Sequence, residues 1–288
     1  MTEAGQPSTA TPAQEESSVV VTRLERGVLL VTLNRPDRLN ALSADGANVY
    51  MQTMLDAAVN PDVRVIVLTG AGKGFCAGAD MAYLAQLKDG QPRAGKLRRH
   101  WFTTQIPKPV IAAINGACVG LGFVIAMMCD IRIAARSARI GAGFSRLGLP
   151  VENGIAWTLV RSMGYSRAFQ HLAVGSLESG DALVQSGVVN EVVDDAQLLP
   201  RALELAHEIS DNCSPRSLAL LKRQLLLALE SSLVDTDRLS DGLTKVALEG
   251  DDFKEAMAAR REKRLPAFAP LPDESVWWPH GVERWMDP

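Results

Sequence analysis

Twice in this chain a run of β-branched residues ends in a glycine-flanked turn that leads toward a helix, and this repeat constrains the fold more than any other feature. The first copy is "DVRVIVLTGAGKGFCAGADM", residues 62–81, and the second is "KPVIAAINGACVGLGFVIAMMCD", residues 108–130. Val65 to Leu68 are all apolar, which reads as a strand buried on both faces. Leu121 to Met128 reads as a buried helix. Strands that alternate with helices in this way predict α/β layers, with helices covering a sheet. A glycine turn between strand and helix also offers backbone N–H groups to something negative. Yet Val124, Ile125, Ala126, Met127 and Met128 supply no acid, base or nucleophile, so the chemistry must come from elsewhere.

The alternation continues through about residue 195. "VVVTRLERGVLLVTLNRP" reads as a hairpin about an Arg-Gly turn. Ser43 can cap a helix through about Val59, with Leu42, Val49, Met54, Leu55 and Ala58 available for burial. "DIRIAARSARIGA" gives one or two short strands. Beyond residue 195 come four helical patterns with no strand between them. One opens with Ser214 as cap and Pro215 in the first turn, and Leu218, Leu221, Leu225 and Leu229 keep the helical period. Four segments follow: a disordered tail over 1–18, rich in Ser, Thr, Pro and Glu; a core over 19–195; a helical region over 196–268 suited to packing on a partner subunit; and an extension over 269–288. Trp277, Trp278 and Trp285 in that extension are expected to be covered, since clustered large apolar side chains seldom stay solvated. Residues Lys88–His100 are basic and broken by Gly and Pro, which reads as a mobile insertion, with Trp101 and Phe102 after it.

The 288 residues carry a formal net charge of −3, with 47% hydrophobic and 22% charged residues. That balance gives no electrostatic drive toward nucleic acid or an anionic membrane. Cys76, Cys118, Cys129 and Cys213 show no C-x-x-C pairing, and the four histidines are scattered, so neither a metal site nor a disulfide framework is expected. The first residues lack a basic segment followed by an apolar one, and no apolar run reaches membrane-spanning length. A cytoplasmic protein is the expectation.

Familiar phosphate and nucleophile motifs fail when tested residue by residue. "GAGKGF" follows a strand, but Phe75 stands where a dinucleotide loop needs its third glycine. As a Walker loop it would need Ser or Thr where Gly74 stands and glycine where Val67 stands. "GFSRL" around Ser145 lacks the second glycine of a nucleophile elbow. What remains is the pair of turns at Gly78-Ala79 and Gly120-Leu121-Gly122. Brought together, their N–H groups would form an oxyanion hole; the alternative is two tight turns closing βα units. In "GLPVENGIAW", Glu152 sits among Leu149, Pro150, Val151 and Ile155 before an Asn153-Gly154 turn. Burial there would raise its pKa toward the range useful to a base; the alternative is a solvated or helix-capping glutamate.

Five segments in order, "LNRPDRLNALS", "GKGFCAGADM", "KPVIAAINGACVGLG", "MMCDIRIAA" and "MAARREKRLPAF", closely resemble the crotonase (enoyl-CoA hydratase/isomerase) superfamily, from about Val19 to Phe268. The resemblance is specific for the superfamily and weak for the individual reaction. It implies an α/β fold of the crotonase type, a ββα spiral with a C-terminal helical trimerisation region. It further implies acyl-CoA thioester substrates, homotrimers or hexamers, and no cofactor beyond the coenzyme A carried by the substrate.

Carried over by position, the resemblance makes the backbone N–H groups of Ala79 and Leu121 the oxyanion donors. Hydratases commonly have glycine where Leu121 stands, whereas some enoyl-CoA isomerases have a branched aliphatic residue there. The two glutamates of a typical hydratase fall here on Val124 and Phe144. The superfamily's third carboxylate position, eight residues past Phe144, is Glu152, an arrangement like that of the Δ3,Δ2-enoyl-CoA isomerases. The resemblance also places coenzyme A against Arg38, Leu39, Ala77, Asp80 and Met81. Arg260 and Lys263 would reach its phosphates, including those of a neighbouring subunit's ligand, or else form a solvated helix face. Asp130 reads as a structural acid between helix and strand. Three activities fit this pattern: an isomerase, a hydratase, and an acyl-CoA-binding protein without chemistry.

Overall fold

The computed structural model describes residues 17–80 and 100–271. Met81, Lys88 to Arg99, Trp277, Trp278, Trp285 and most of the expected N-terminal tail lie outside these. Strands β1 (Val19–Arg23), β2 (Val28–Leu33), β3 (Val65–Gly70), β5 (Val110–Ile114), β7 (Ile131–Ala135) and β9 (Glu191–Val193) form a six-stranded sheet in the order 1-2-3-5-7-9. Only the β1–β2 pair is antiparallel. β4 (Gly74–Cys76), β6 (Ala117–Val119) and β8 (Arg139–Gly141) form a second, parallel sheet. From β3 onward successive strands therefore go alternately to the large and the small sheet, so each repeat advances one step in both, as expected of a ββα spiral.

The small sheet corrects the simpler strand–turn–helix reading of the repeats. Each of its strands has three residues, too few to show a period of two. The turn between β3 and β4 is held by two asparagines. Asn40, buried and with φ 58°, donates from Nδ2 to Ala71 O at 2.9 Å and Gly74 O at 2.6 Å, and its Oδ1 accepts from Arg35 N. From the other side, Asn115 donates to Gly72 O at 2.9 Å and Gly74 O at 3.2 Å.

Most local expectations hold for stated reasons. Helix α1 (Ala44–Val59) starts where Ser43 accepts from Gly46 N. It buries Tyr50, Met51, Met54 and Ala57, whereas Val49 is exposed. Val49 is a correction: the face is set by contact with the sheet, and Tyr50 takes the inward place. Every residue of β3 is buried. α2 spans Leu121–Met127, and all of it after Leu121 is buried.

α3 (Ile155–Met163), α4 (Tyr165–Val174) and α5 (Asp181–Gln185) precede β9. α6 (Leu198–Asn212) lies on the large sheet against β2, β3, β5 and β7. α7 (Pro215–Ala228), α8 (Leu233–Glu249) and α9 (Asp251–Glu262) follow, and Ala219, Leu220 and Leu243 form a small separate core between α7 and α8. Leu221, Leu225 and Leu229 are exposed, so much of the leucine stripe of α7 faces outward. No helix of the described residues is long and apolar enough to cross a membrane.

One ion pair pins this helical region to the spiral. Lys222 Nζ donates to Asp130 Oδ2 at 2.8 Å, and also to Thr103 O and Lys108 O at 3.2 and 3.3 Å. The same Asp130 oxygen accepts from Val110 N at 2.8 Å, so Asp130 sits structurally between α2 and β7. Removing one partner of a mostly buried pair strands the other charge. Lys222→Met is expected to lower stability by about 2 kcal/mol, after allowing for the partial exposure of Asp130. Urea denaturation checks this, and an unchanged midpoint would mean that the pin is energetically idle.

Candidate active site

The two glycine turns of the repeat come into contact. Gly78 has φ 107°, a conformation that favours glycine, and a Cβ there would lie 3.0 Å from Val119 O and 3.4 Å from Leu121 N. Ala79 pairs in parallel with Leu42: Leu42 N donates to Gly78 O at 2.8 Å, and Asp80 N donates to Leu42 O at 2.9 Å. In such a bridge the N–H of Ala79 itself points away from Leu42. Leu121 is the first residue of α2, so its N–H has no acceptor within the helix. Two amides with no partner in their own elements therefore flank Gly78.

What allows this approach is Gly122. A Cβ on Gly122 would fall 2.0 Å from Cys76 O and 2.7 Å from Cys76 Cβ. The first turn of α2 thus lies directly on the backbone of β4, and no other residue fits without moving one of them. Cys76 and Cys118 occupy neighbouring positions on β4 and β6, the strands that feed the two turns. Burial pushes the Cys76 thiol up to about 12 and the Cys118 thiol well above its ordinary value, so both stay neutral.

Glu152 lies in the turn that leads into α3. Asn153 and Gly154 follow it with φ 54° and 76°, and Ile155 N donates to Glu152 O at 3.2 Å where α3 begins. A Cβ on Gly154 would lie 3.7 Å from Met128 Cε, and Thr158 Oγ1 lies 3.8 Å from Met128 Sδ. The start of α3 is thus seated on the end of α2. Glu152 is half-buried rather than fully enclosed. Val124 is completely buried within α2, and Phe144 is half-buried against the core. Between Leu121 and Trp157 the sequence has two carboxylates, Asp130 and Glu152, and Asp130 is engaged by Lys222 and Val110 N.

The residues expected around coenzyme A divide into two groups. Ala77 N donates to Leu39 O at 2.9 Å, so Arg38, Leu39, Ala77 and Asp80 lie along one edge formed by residues 38–42 and 77–80. Arg38 is exposed. Arg35, which the sequence reading did not single out, locks this edge: its Nη1 donates to Ala41 O at 2.8 Å and to Asp80 Oδ2 at 3.2 Å. Its signal was its place within "NRPDRLN". Arg260 and Lys263 lie apart from that edge in sequence, at the exposed C-terminal end of α9. There Lys263 adopts φ 53°, and Glu255 holds the following turn through Arg264 at 2.5 Å and Ala267 N at 2.7 Å. That arginine and amide hold the Glu255 carboxyl down at about 2.

A family model described as enoyl-CoA hydratase/isomerase matches residues 23–270. The chain belongs to the enoyl-CoA hydratase/isomerase family. It is 33% identical over 257 residues to the 1,2-epoxyphenylacetyl-CoA isomerase of Escherichia coli K12, covering 86% of this chain and 97% of that protein. To the probable enoyl-CoA hydratase EchA12 of Mycobacterium tuberculosis H37Rv it is 32% identical over 269 residues, covering 88% and 93%. The crystal structure of an enoyl-CoA hydratase from Bacillus anthracis superimposes with a TM-score of 0.83 at 30% identity, covering 88% of this chain and 99% of that one. The crotonase-type fold read from the motifs is therefore the fold of this protein.

The Gly122 contact yields a sharp test. Gly122→Ala is expected to cost at least about 2 kcal/mol, because neither backbone can yield freely. Gly143→Ala, where an added Cβ meets nothing within 4 Å, is expected to change the melting temperature little. Equal effects of the two substitutions would contradict the close packing of α2 on β4.

Proposed function

We propose that this enzyme moves the double bond of a 3-enoyl-CoA to the 2-position, with Glu152 as the only acid/base. The observation that carries the reading is the distribution of carboxylates around α2. Val124 and Phe144 occupy the two places where the resemblance puts the glutamates of a hydratase, and Glu152 stands at the third place where it puts a carboxylate. Adding water to a double bond needs groups that hold and polarise the water. Moving a double bond needs one group that takes a proton from one carbon and returns it to another.

The thioester carbonyl oxygen of the substrate accepts hydrogen bonds from Ala79 N and Leu121 N. Glu152 removes a proton from C2, and the electron pair spreads over C2, C3, C4 and the carbonyl as a dienolate. The negative charge sits largely on the oxygen held by the two amides. Each such donor is worth roughly 2.7–4 kcal/mol of barrier. The protonated Glu152 then delivers its proton to C4, giving the 2-enoyl-CoA and restoring the carboxylate. The edge formed by Arg38, Leu39, Ala77 and Asp80 supports the coenzyme A portion, as does Met81, the next residue in the sequence. Arg260 and Lys263 supply positive charge for its phosphates, and no further cofactor takes part. The outward leucines of α7 supply the contact surface of a homotrimer, or of a hexamer built from two.

Hydration is the second reading, favoured by the hydratase names of several relatives. In those enzymes' family pattern two glutamates serve the water, and here apolar residues stand at both places. A side-by-side assay of a 3-enoyl-CoA and a 2-enoyl-CoA separates isomer, hydrated product and binding without turnover. Glu152→Gln is expected to lower turnover of the 3-enoyl-CoA by 10²- to 10⁴-fold while leaving acyl-CoA binding intact. Undiminished turnover would refute the role of Glu152.

A further inference from the structure

The segment that carries Leu42 holds an unfavourable backbone shape. Leu39 and Asn40 have φ 48° and 58°, and for a residue as bulky as leucine that left-handed conformation is an outlier. Such a conformation persists only where its surroundings fix it. Arg35 does so with both main chain and side chain. Its carbonyl oxygen accepts from Arg38 N at 3.0 Å and Asn40 N at 2.9 Å, and its N–H donates to Asn40 Oδ1 at 2.8 Å. Its guanidinium reaches forward to Ala41 O at 2.8 Å, and the same nitrogen crosses to Asp80 Oδ2 on the other segment at 3.2 Å. The ion pair is mostly out of solvent, with the two side chains 29% and 18% exposed.

Between the two ends of this clamp lies the bridge from Leu42 to Ala79. Leu42 N donates to Gly78 O at 2.8 Å. Gly78 O and the Ala79 N–H belong to one planar trans peptide unit, in which carbonyl and N–H point in opposite directions. Holding that carbonyl on Leu42 therefore aims the Ala79 N–H away from Leu42, and any rotation of the unit swings both ends together. The peptide unit before Leu121 is fixed in the same manner, its Gly120 carbonyl accepting from Val124 N at 3.0 Å in the first turn of α2. That amide is aimed by a helix. The Ala79 amide is aimed by a loop of unfavourable φ and an ion pair that crosses to the next segment.

We propose that Arg35 is a positioning residue for the reaction: by clamping Ala41 to Asp80 it fixes the direction of the Ala79 amide relative to that of Leu121. It touches no reacting atom. The inference rests on the reading that these two amides receive the thioester carbonyl, and it holds whichever proton transfers Glu152 performs. Without the clamp the Leu121 donor stays in place while the Ala79 peptide unit is free to turn. The carbonyl then keeps one well-aimed hydrogen bond instead of two.

The test is the infrared stretch of the thioester carbonyl in hexanoyl-CoA, isotope-labelled at that carbon and bound to the full chain at saturation. This ligand is saturated and has no double bond to move. The unaltered protein is expected to lower the stretch relative to the free ligand, because donors aimed at the carbonyl polarise it. Arg35→Gln is expected to lose part of that lowering. Its turnover at saturation, measured with whichever of a 3-enoyl-CoA and a 2-enoyl-CoA the enzyme converts, is expected to fall about 10- to 100-fold. Asp80→Asn loosens the clamp from its other side and is expected to do the same, with the double variant no worse than either alone. Lys222→Met, destabilised at a different contact, is expected to keep the full lowering. Full lowering retained in Arg35→Gln and Asp80→Asn, or an equal loss in Lys222→Met, would overturn the proposal while leaving the amides as the carbonyl site. No lowering in the unaltered protein would instead sink the reading that the amides receive the carbonyl, and the role of Arg35 with it.

Discussion

The site depends on one contact, the main chain of β4 against the first turn of α2 at Gly122. Two backbones can approach this closely only where a side chain is missing. At Gly122 the missing Cβ lets α2 lie on Cys76, and at Gly78 it lets the preceding turn reach Val119 and Leu121. These two absences hold the amides of Ala79 and Leu121 on either side of a single glycine. Everything else in the spiral supports that arrangement. Asn40 and Asn115 fix the turn from β3 into β4, Arg35 ties the neighbouring edge to Asp80, and Lys222 clamps the helical region against Asp130.

The same architecture explains how one family hosts several reactions. The two amides belong to the main chain, so their place survives replacement of the side chains around them, including the leucine at 121. Side chains within α2 and on the turns after β8 can change without moving those amides. Here the interior of α2 has become wholly apolar through Val124, and Phe144 anchors the turn that follows β8, with Leu147 N and Leu149 N both donating to its carbonyl. Glu152 remains, on a turn shaped by two consecutive positive-φ residues and seated on Met128.

Much of this was legible in the sequence because it is local. The unbroken apolar run Val65–Leu68, the Ser43 and Ser214 caps and the buried stretch after Leu121 each announce themselves within a few residues. So did the glycine turns, and the order of the motifs carried the family. What stayed hidden depends on partners distant in the chain. A three-residue strand such as Gly74–Cys76 has no pattern of its own and exists through its pairing with residue 117 onward. Asn40 looks like any turn asparagine until Gly74 comes within reach of its amide. Val49 kept a helical period yet faces solvent, since the sheet selects which stripe is buried.

The central claim is that one carboxylate carries a proton between two carbons of a thioester held by two amides. The most direct measurement follows the hydrogen itself, using a 3-enoyl-CoA deuterated at C2 and incubated with the enzyme in ordinary water. The account predicts a 2-enoyl-CoA in which part of the deuterium has moved to C4, because the same side chain takes and returns it. A 3-hydroxyacyl-CoA as the first product, or an isomer with the label lost entirely to solvent, would contradict it.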